Sequence, residues 1–119
     1  MESTRQKKMA RLLERDVAEI LRQRAALDFP GTLWSVTKVR VTQDVGMARI
    51  YLSVFPADRT ADSMAYIEEH KSAIRNQVGQ LVRHQMRVVP ELHYHADDSL
   101  DYEATIDRLL REGGENPIL

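Results

Sequence analysis

The sequence predicts a small α+β domain in which helices cover one face of a mixed three-stranded sheet. Three observations carry that prediction. Apolar residues recur at helical spacing near Ser3 to Arg24 and again from about Asp62 to Gln85; two alternating, β-branched stretches lie between them; and a short alternating segment follows Pro90. The order is α-β-β-α-β-α without an internal repeat. With 119 residues, 43% of them hydrophobic, the chain holds enough apolar material for one core rather than two.

In the first helix Met9, Leu12, Leu13, Val17, Ile20 and Leu21 form one apolar stripe, with Ser3 or Thr4 placed to cap it. Arg5, Lys7, Lys8, Arg11 and Arg15 decorate its first half outside that stripe. Asp28-Phe29-Pro30-Gly31 supplies two breakers in succession and makes a loop. Trp34 to Thr42 and Ala48 to Phe55 then read as strands. Ala48, Ile50, Leu52 and Val54 alternate with Met47, Arg49, Tyr51, Ser53 and Phe55, and the turn formers Gln43-Asp44-Val45-Gly46 join the strands as an antiparallel hairpin.

The second long helix, capped by Asp62 or Ser63, aligns Ile67, Ile74, Val78 and Leu81 on one side. Gly79 interrupts it, at a cost of about 1 kcal/mol relative to alanine unless another backbone or side chain approaches closely there. In the third strand Leu92, Tyr94 and Ala96 alternate with Glu91, His93 and His95. Asp97-Asp98-Ser99 makes a turn, and Tyr102, Ile106, Leu109 and Leu110 give a short last helix ended by Gly113-Gly114. The domain is therefore expected over residues 1–112, with a loose tail over 113–119.

The net charge of -1 hides a strong asymmetry. Residues 70–90 carry four Lys/Arg and no Asp/Glu, and residues 1–24 carry seven against four; residues 91–119 carry two against eight. If the basic segments fold together they make a surface that steers an anionic partner despite the near-zero total. Lys71, Arg75, Arg83 and Arg87 are accordingly candidate phosphate ligands. The plain alternative is an ordinary solvated helix face.

Other chemistry finds little support. No apolar run spans a bilayer and no secretory leader pattern is present, so a cytoplasmic protein is expected, and the absence of cysteine excludes disulfides and thiolate metal sites. No nucleophile motif, glycine-rich phosphate loop or helical zinc motif occurs, so no enzymatic activity or cofactor is expected. His93 and His95 share a strand face, but a third metal ligand is missing, and a polar exposed sheet face explains them more simply. Trp34 and Tyr51 are read as packing residues rather than base-stacking ones.

The element order resembles bacterial ribosome-binding factor A. So do the run from Val41 to Tyr51, the helical segment from Ile74-Arg75 to Gly79, and above all Arg87-Val88-Val89-Pro90-Glu91-Leu92-His93-Tyr94 followed by Asp98-Ser99. The resemblance extends to Ile106-Asp107-Arg108-Leu109-Leu110. It implies a KH-like fold of the second type, α-β-β-α-β with a kinked long helix, plus the short C-terminal helix. It further implies a non-enzymatic, RNA-binding factor of the free small ribosomal subunit, needed for late maturation, for 5′-end processing of 16S rRNA and for growth in the cold. The kink that the family builds from an Ala-x-Gly pattern falls here on His70, Lys71 and Ser72, so neither small residue is kept.

The expected site combines the charge pattern with that resemblance. Lys71, Arg75, Arg83, Arg87, Arg5, Lys7, Lys8 and Arg11 would contact phosphates of the rRNA, with His70, Ser72 and Asn76 as neighbours, in a protein acting as a monomer. A competing expectation is an adaptor whose acidic last third docks a basic partner.

Overall fold

A computed structural model describes residues 2–97. The expected last helix, the tail and the domain boundary near residue 112 lie outside the described residues. Helix α1 runs over Thr4–Asp28, strand β1 over Leu33–Val41 and strand β2 over Met47–Phe55. A single 3₁₀ turn, Ala57–Arg59, leads into α2, Thr60–Glu69; α3 follows over Lys71–Val82 and β3 over Glu91–Ala96. The sheet order is β1-β2-β3, with β1 antiparallel and β3 parallel to β2, so the sheet is mixed as expected.

Helix α1 starts where its sequence says it should. The Ser3 hydroxyl accepts the Gln6 amide at 3.1 Å while the Gln6 side chain accepts the Ser3 amide at 2.8 Å, a reciprocal capping box. Gln6 also donates to the Val41 carbonyl at 2.9 Å, which ties the helix start to the end of β1. Leu13, Val17 and Leu21 are fully buried against Ala48, Ile50 and Leu52, the inward set of β2. Each such side chain contributes about 1.5–3 kcal/mol of hydrophobic stabilisation.

The second helical stretch is kinked where the family resemblance set the bend, and it differs from the residue-by-residue reading in where it ends and which residues it buries. It is two helices meeting at His70, whose φ of -103° and ψ of 14° are not helical. The Ser72 hydroxyl makes no hydrogen bond among the described residues, so the bend is made by the backbone at His70, held where Nδ1 lies 2.8 Å from the Tyr66 carbonyl and the ring stacks on Tyr66. Helix α3 stops at Val82, three residues before Gln85, and its buried stripe is Ile74, Val78 and Val82, with Leu81 45% exposed. Both Leu81 and Val82 continue a helical stripe, by i+7 from Ile74 and i+4 from Val78, and the residue nearer Met86, itself buried, is the one enclosed.

Neither Asp62 nor Ser63 caps α2, because the 3₁₀ turn begins the helix earlier and makes Arg59 its first flanking residue. Ser63 is instead fully buried, and its hydroxyl accepts the Trp34 indole N–H at 2.9 Å. Trp34 is a core residue, as its packing reading required, set against Phe29 and Tyr66 at ring separations of 5.2 and 5.6 Å.

Gly79 does not interrupt α3; the helix continues through it. A β-carbon there would lie 3.4 Å from Val89 Cγ2, an ordinary van der Waals contact. Gly79→Ala is therefore expected to stabilise the protein by about 0.5–1 kcal/mol through helix propensity alone. Urea unfolding followed by far-UV circular dichroism checks this; a decrease in midpoint would mean that the 88–90 segment needs closer approach than the glycine gap suggests.

Candidate nucleic-acid interface

The tip of the β1–β2 hairpin and the chain leaving α3 meet beside the first half of α1. The turn is shaped by Asp44, whose carboxylate accepts the Gly46 amide at 3.0 Å and the Thr42 hydroxyl at 2.8 Å. These donors hold the Asp44 carboxyl below its usual pKa, so it is an anion at neutral pH. The left-handed residue of the turn is Val45, with φ of 61°, rather than the neighbouring glycine. A β-branched residue in that region is strained by about 1–2 kcal/mol, and its side chain packs against the core edge. The Gly46 carbonyl accepts the Glu91 amide at 3.0 Å, joining the turn to the start of β3.

Between these elements lies an open groove of about 1060 Å³. Met9, Leu12, Val45, Met86 and Val88 supply its apolar lining, and Arg5, Lys8, Arg11, Arg15 and Arg87 its charge. Arg15 is engaged by Asp16 at 2.9 Å. Arg5, Lys8, Arg11 and Arg87 make no ion pair or side-chain hydrogen bond among the described residues, and each is exposed. Four cations around an apolar floor, unpaired among the described residues, with Asp44 the one described anion in the lining, suit an anionic polymer that also presents flat apolar surface.

The other expected residues distribute around this groove. Arg87 and Val88 also line a shallower depression with Arg75, Asn76 and Arg83, so the positive surface continues from α1 onto α3. Lys7 lies outside the groove lining. Lys71 pairs with Glu68 at 2.8 Å, a contact that raises its pKa, and with Ser72 it borders a separate small depression beside Glu91 and His93.

Arg75 has a different task from the one its charge suggests. Its Nε donates to the Pro90 carbonyl at 3.2 Å and its Nη2 to the Val89 carbonyl. Arg75 thus straps the 88–90 segment onto α3, and this positions Arg87 and Val88 at the groove. His70 is likewise occupied by Tyr66.

Sequence reasoning left Arg15, Gln85, Met86 and the 44–46 turn out of the site. Arg15 was findable, because Arg5, Lys8, Arg11 and Arg15 are spaced by three, three and four on one helix face. The turn was not, since nothing local says that a hairpin tip will face α1.

The sequence profile of the ribosome-binding factor A family matches residues 5–110. The chain belongs to that family. It is 40% identical over 118 residues to ribosome-binding factor A of Christiangramia forsetii, covering 98% of this chain and 89% of that protein. With the Flavobacterium psychrophilum factor the identity is 41% over 119 residues, covering 99% and 91%. The fold is similar to the crystal structure of the Thermus thermophilus ribosome-binding factor A, with a TM-score of 0.61 at 21% identity over 76% of this chain and 94% of that one. A homology model of the Thermus factor fitted into a cryo-EM map of its 30S complex gives a TM-score of 0.56 at 22% identity, covering 73% and 93%. The KH-like architecture expected for the ribosome-binding factor A family is thus the observed one.

Within this family member Asp44 offers a direct test of the groove's electrostatics. Asp44→Asn keeps an oxygen for the Gly46 amide and removes the charge, so binding of a ten-nucleotide single-stranded RNA should tighten by about twofold at low salt, the effect of one like charge at water-like dielectric. Fluorescence anisotropy reads this, and weaker binding would place the RNA away from the hairpin tip.

Proposed function

We propose that this protein is an assembly factor that binds the free small ribosomal subunit, gripping the phosphate backbone of its rRNA in the groove between α1 and the 85–88 segment. The observation that carries the proposal is the convergence of Arg5, Lys8, Arg11 and Arg87, all without a protein partner among the described residues, on one apolar-floored groove. The 30S complex recorded for the Thermus relative names the corresponding particle. Arg83 and Asn76 extend the same surface, and Arg75 positions it. Backbone and shape are read rather than base sequence. The protein acts as a cytoplasmic monomer without catalysis of its own, in late maturation and 5′-end processing of 16S rRNA and in adaptation to cold; these finer roles rest on the family resemblance.

Co-sedimentation with purified small subunits, large subunits and assembled ribosomes tests the reading. Binding confined to free small subunits and lost in Lys8→Glu/Arg11→Glu is the expected result. Equal binding to every particle would reduce the groove to non-specific attraction, and unchanged binding by the double variant would return the acidic-adaptor reading.

A further inference from the structure

The helices all pack on one face of the sheet, and among the described residues no element covers the other. Ala48, Ile50, Leu52 and Val54 point inward, and Arg49, Tyr51, Ser53 and Phe55 alternate with them on the outer side, where Arg49 and Phe55 are exposed, Tyr51 is half-buried and Ser53 is buried. Register sets Arg40 opposite Arg49 and Arg49 opposite His93; one step along, Lys38 lies opposite Tyr51 and Tyr51 opposite His95. Like charges directly opposite on neighbouring strands destabilise a sheet. Arg40 reaches Glu2 only at 3.8 Å, and Arg49 has no partner among the described residues. The two acids at the β3 edge are engaged elsewhere, Glu91 with His93 at 2.6 Å and Asp97 with the Thr37 hydroxyl at 2.5 Å.

Beside these cations lies an aromatic platform. The Tyr51 and His95 rings stack at 5.4 Å with an interplanar angle of 29°, and Lys38 Nζ sits 5.3 Å from the Tyr51 ring centre. Phe55, 67% exposed, projects from the same face four residues further on, about 13 Å at the rise of a strand. Flat rings interleaved with the cations Lys38, Arg40 and Arg49 on an open sheet match the chemistry of an unpaired RNA segment, whose bases stack and whose phosphates need neutralising.

We propose that this outer sheet face is a second RNA-binding surface, which takes a single-stranded segment with bases on Tyr51 and Phe55 and phosphates at Lys38, Arg40 and Arg49. It lies across the sheet from the helices that build the groove and does not rest on the groove's assignment. A factor with both surfaces holds two RNA segments at once, one on each side of the domain.

The test uses the full chain and a labelled ten-nucleotide oligouridine, read by fluorescence anisotropy in the wild type and in Lys8→Glu/Arg11→Glu. Tyr51→Ala should weaken binding about tenfold in the Lys8→Glu/Arg11→Glu background, where the groove is disabled, and Tyr51→Phe should restore it, as loss and return of one stacking contact requires. Arg49→Glu relieves the repulsion from Arg40, so it should fold, and it should lower the salt slope by about 0.7, one phosphate on a single strand. Folded Tyr51→Ala and Arg49→Glu proteins that bind like their parents would overturn the sheet surface and leave the groove standing. Loss in these variants alone, with Lys8→Glu/Arg11→Glu unaffected, would support the sheet and remove the groove. Self-association abolished by Phe55→Ser, with RNA binding unchanged, would make the face a contact between copies and overturn the proposal.

Discussion

Reversing Lys8 and Arg11 together is expected to weaken binding to free small subunits by about 100-fold at low salt. At contact distance in a water-like dielectric, one unit charge against one phosphate is worth about 1 kcal/mol, and a reversal replaces that attraction by a similar repulsion. Two reversals therefore shift the free energy by about 3–4 kcal/mol before screening, of which about 2.7 corresponds to the stated factor. The salt dependence should change in step. Four cations neutralising single-stranded phosphates give a slope of about -3 in log K against log salt, and loss of two should bring it near -1.4. Both side chains are exposed and free of ion pairs among the described residues, so thermal stability should not move. Lys7→Glu against Lys8→Glu alone is the matched control: each changes the net charge by the same amount on the same helix, Lys7 from outside the groove lining, and the Lys7 effect should be several-fold smaller. Equal losses from Lys7→Glu and from Lys8→Glu would mean that total charge, not the groove, governs binding.

Trp34→Ala is expected to destabilise the fold by about 3–5 kcal/mol, the range for removing a large buried aromatic. The ring is 97% enclosed, its relative exposure being 3%, and it joins β1 to α2 through the Ser63 hydroxyl while packing on Phe29 and Tyr66. Tyr66 in turn receives Arg24 at 3.0 Å and donates to Asp28, so the same cluster fixes the C-terminal half of α1. Ser63→Ala separates the two contributions, since it removes the acceptor and strands the indole N–H at a cost of about 1–3 kcal/mol while keeping the ring. Chemical denaturation of the three proteins measures both. A loss below 1 kcal/mol for Trp34→Ala would show that the aromatic cluster is dispensable to the core.

How much of this was legible in the sequence depends on the range of the interaction. Residue spacing set the two helical stretches, the hairpin and the third strand, because helix and strand periods are properties of consecutive residues. Spacing also put the first cap at Ser3 or Thr4, and the structure chose Ser3 through its reciprocal bonds with Gln6. The alternation of Ala48, Ile50, Leu52 and Val54 with Arg49, Tyr51 and Phe55 already separated the two faces of the sheet, and charge runs showed that α1 and the 70–90 stretch were both basic. Only the tertiary structure decided which of these groups remained free. Arg75 and His70 look like surface cations and hydrogen-bonding residues in sequence, yet carbonyls of Val89, Pro90 and Tyr66 occupy them. Ser63 reads as a cap until Trp34, 29 positions earlier, reaches it. Leu81 and Val82 satisfy the helical period equally, and the path of the returning chain chose between them. Arg87 meets Arg5, Lys8 and Arg11 because the strap on α3 brings residues separated by most of the chain to one groove. Periodicity fixes what a segment is, whereas the partner of each side chain is set by long-range packing that spacing does not encode.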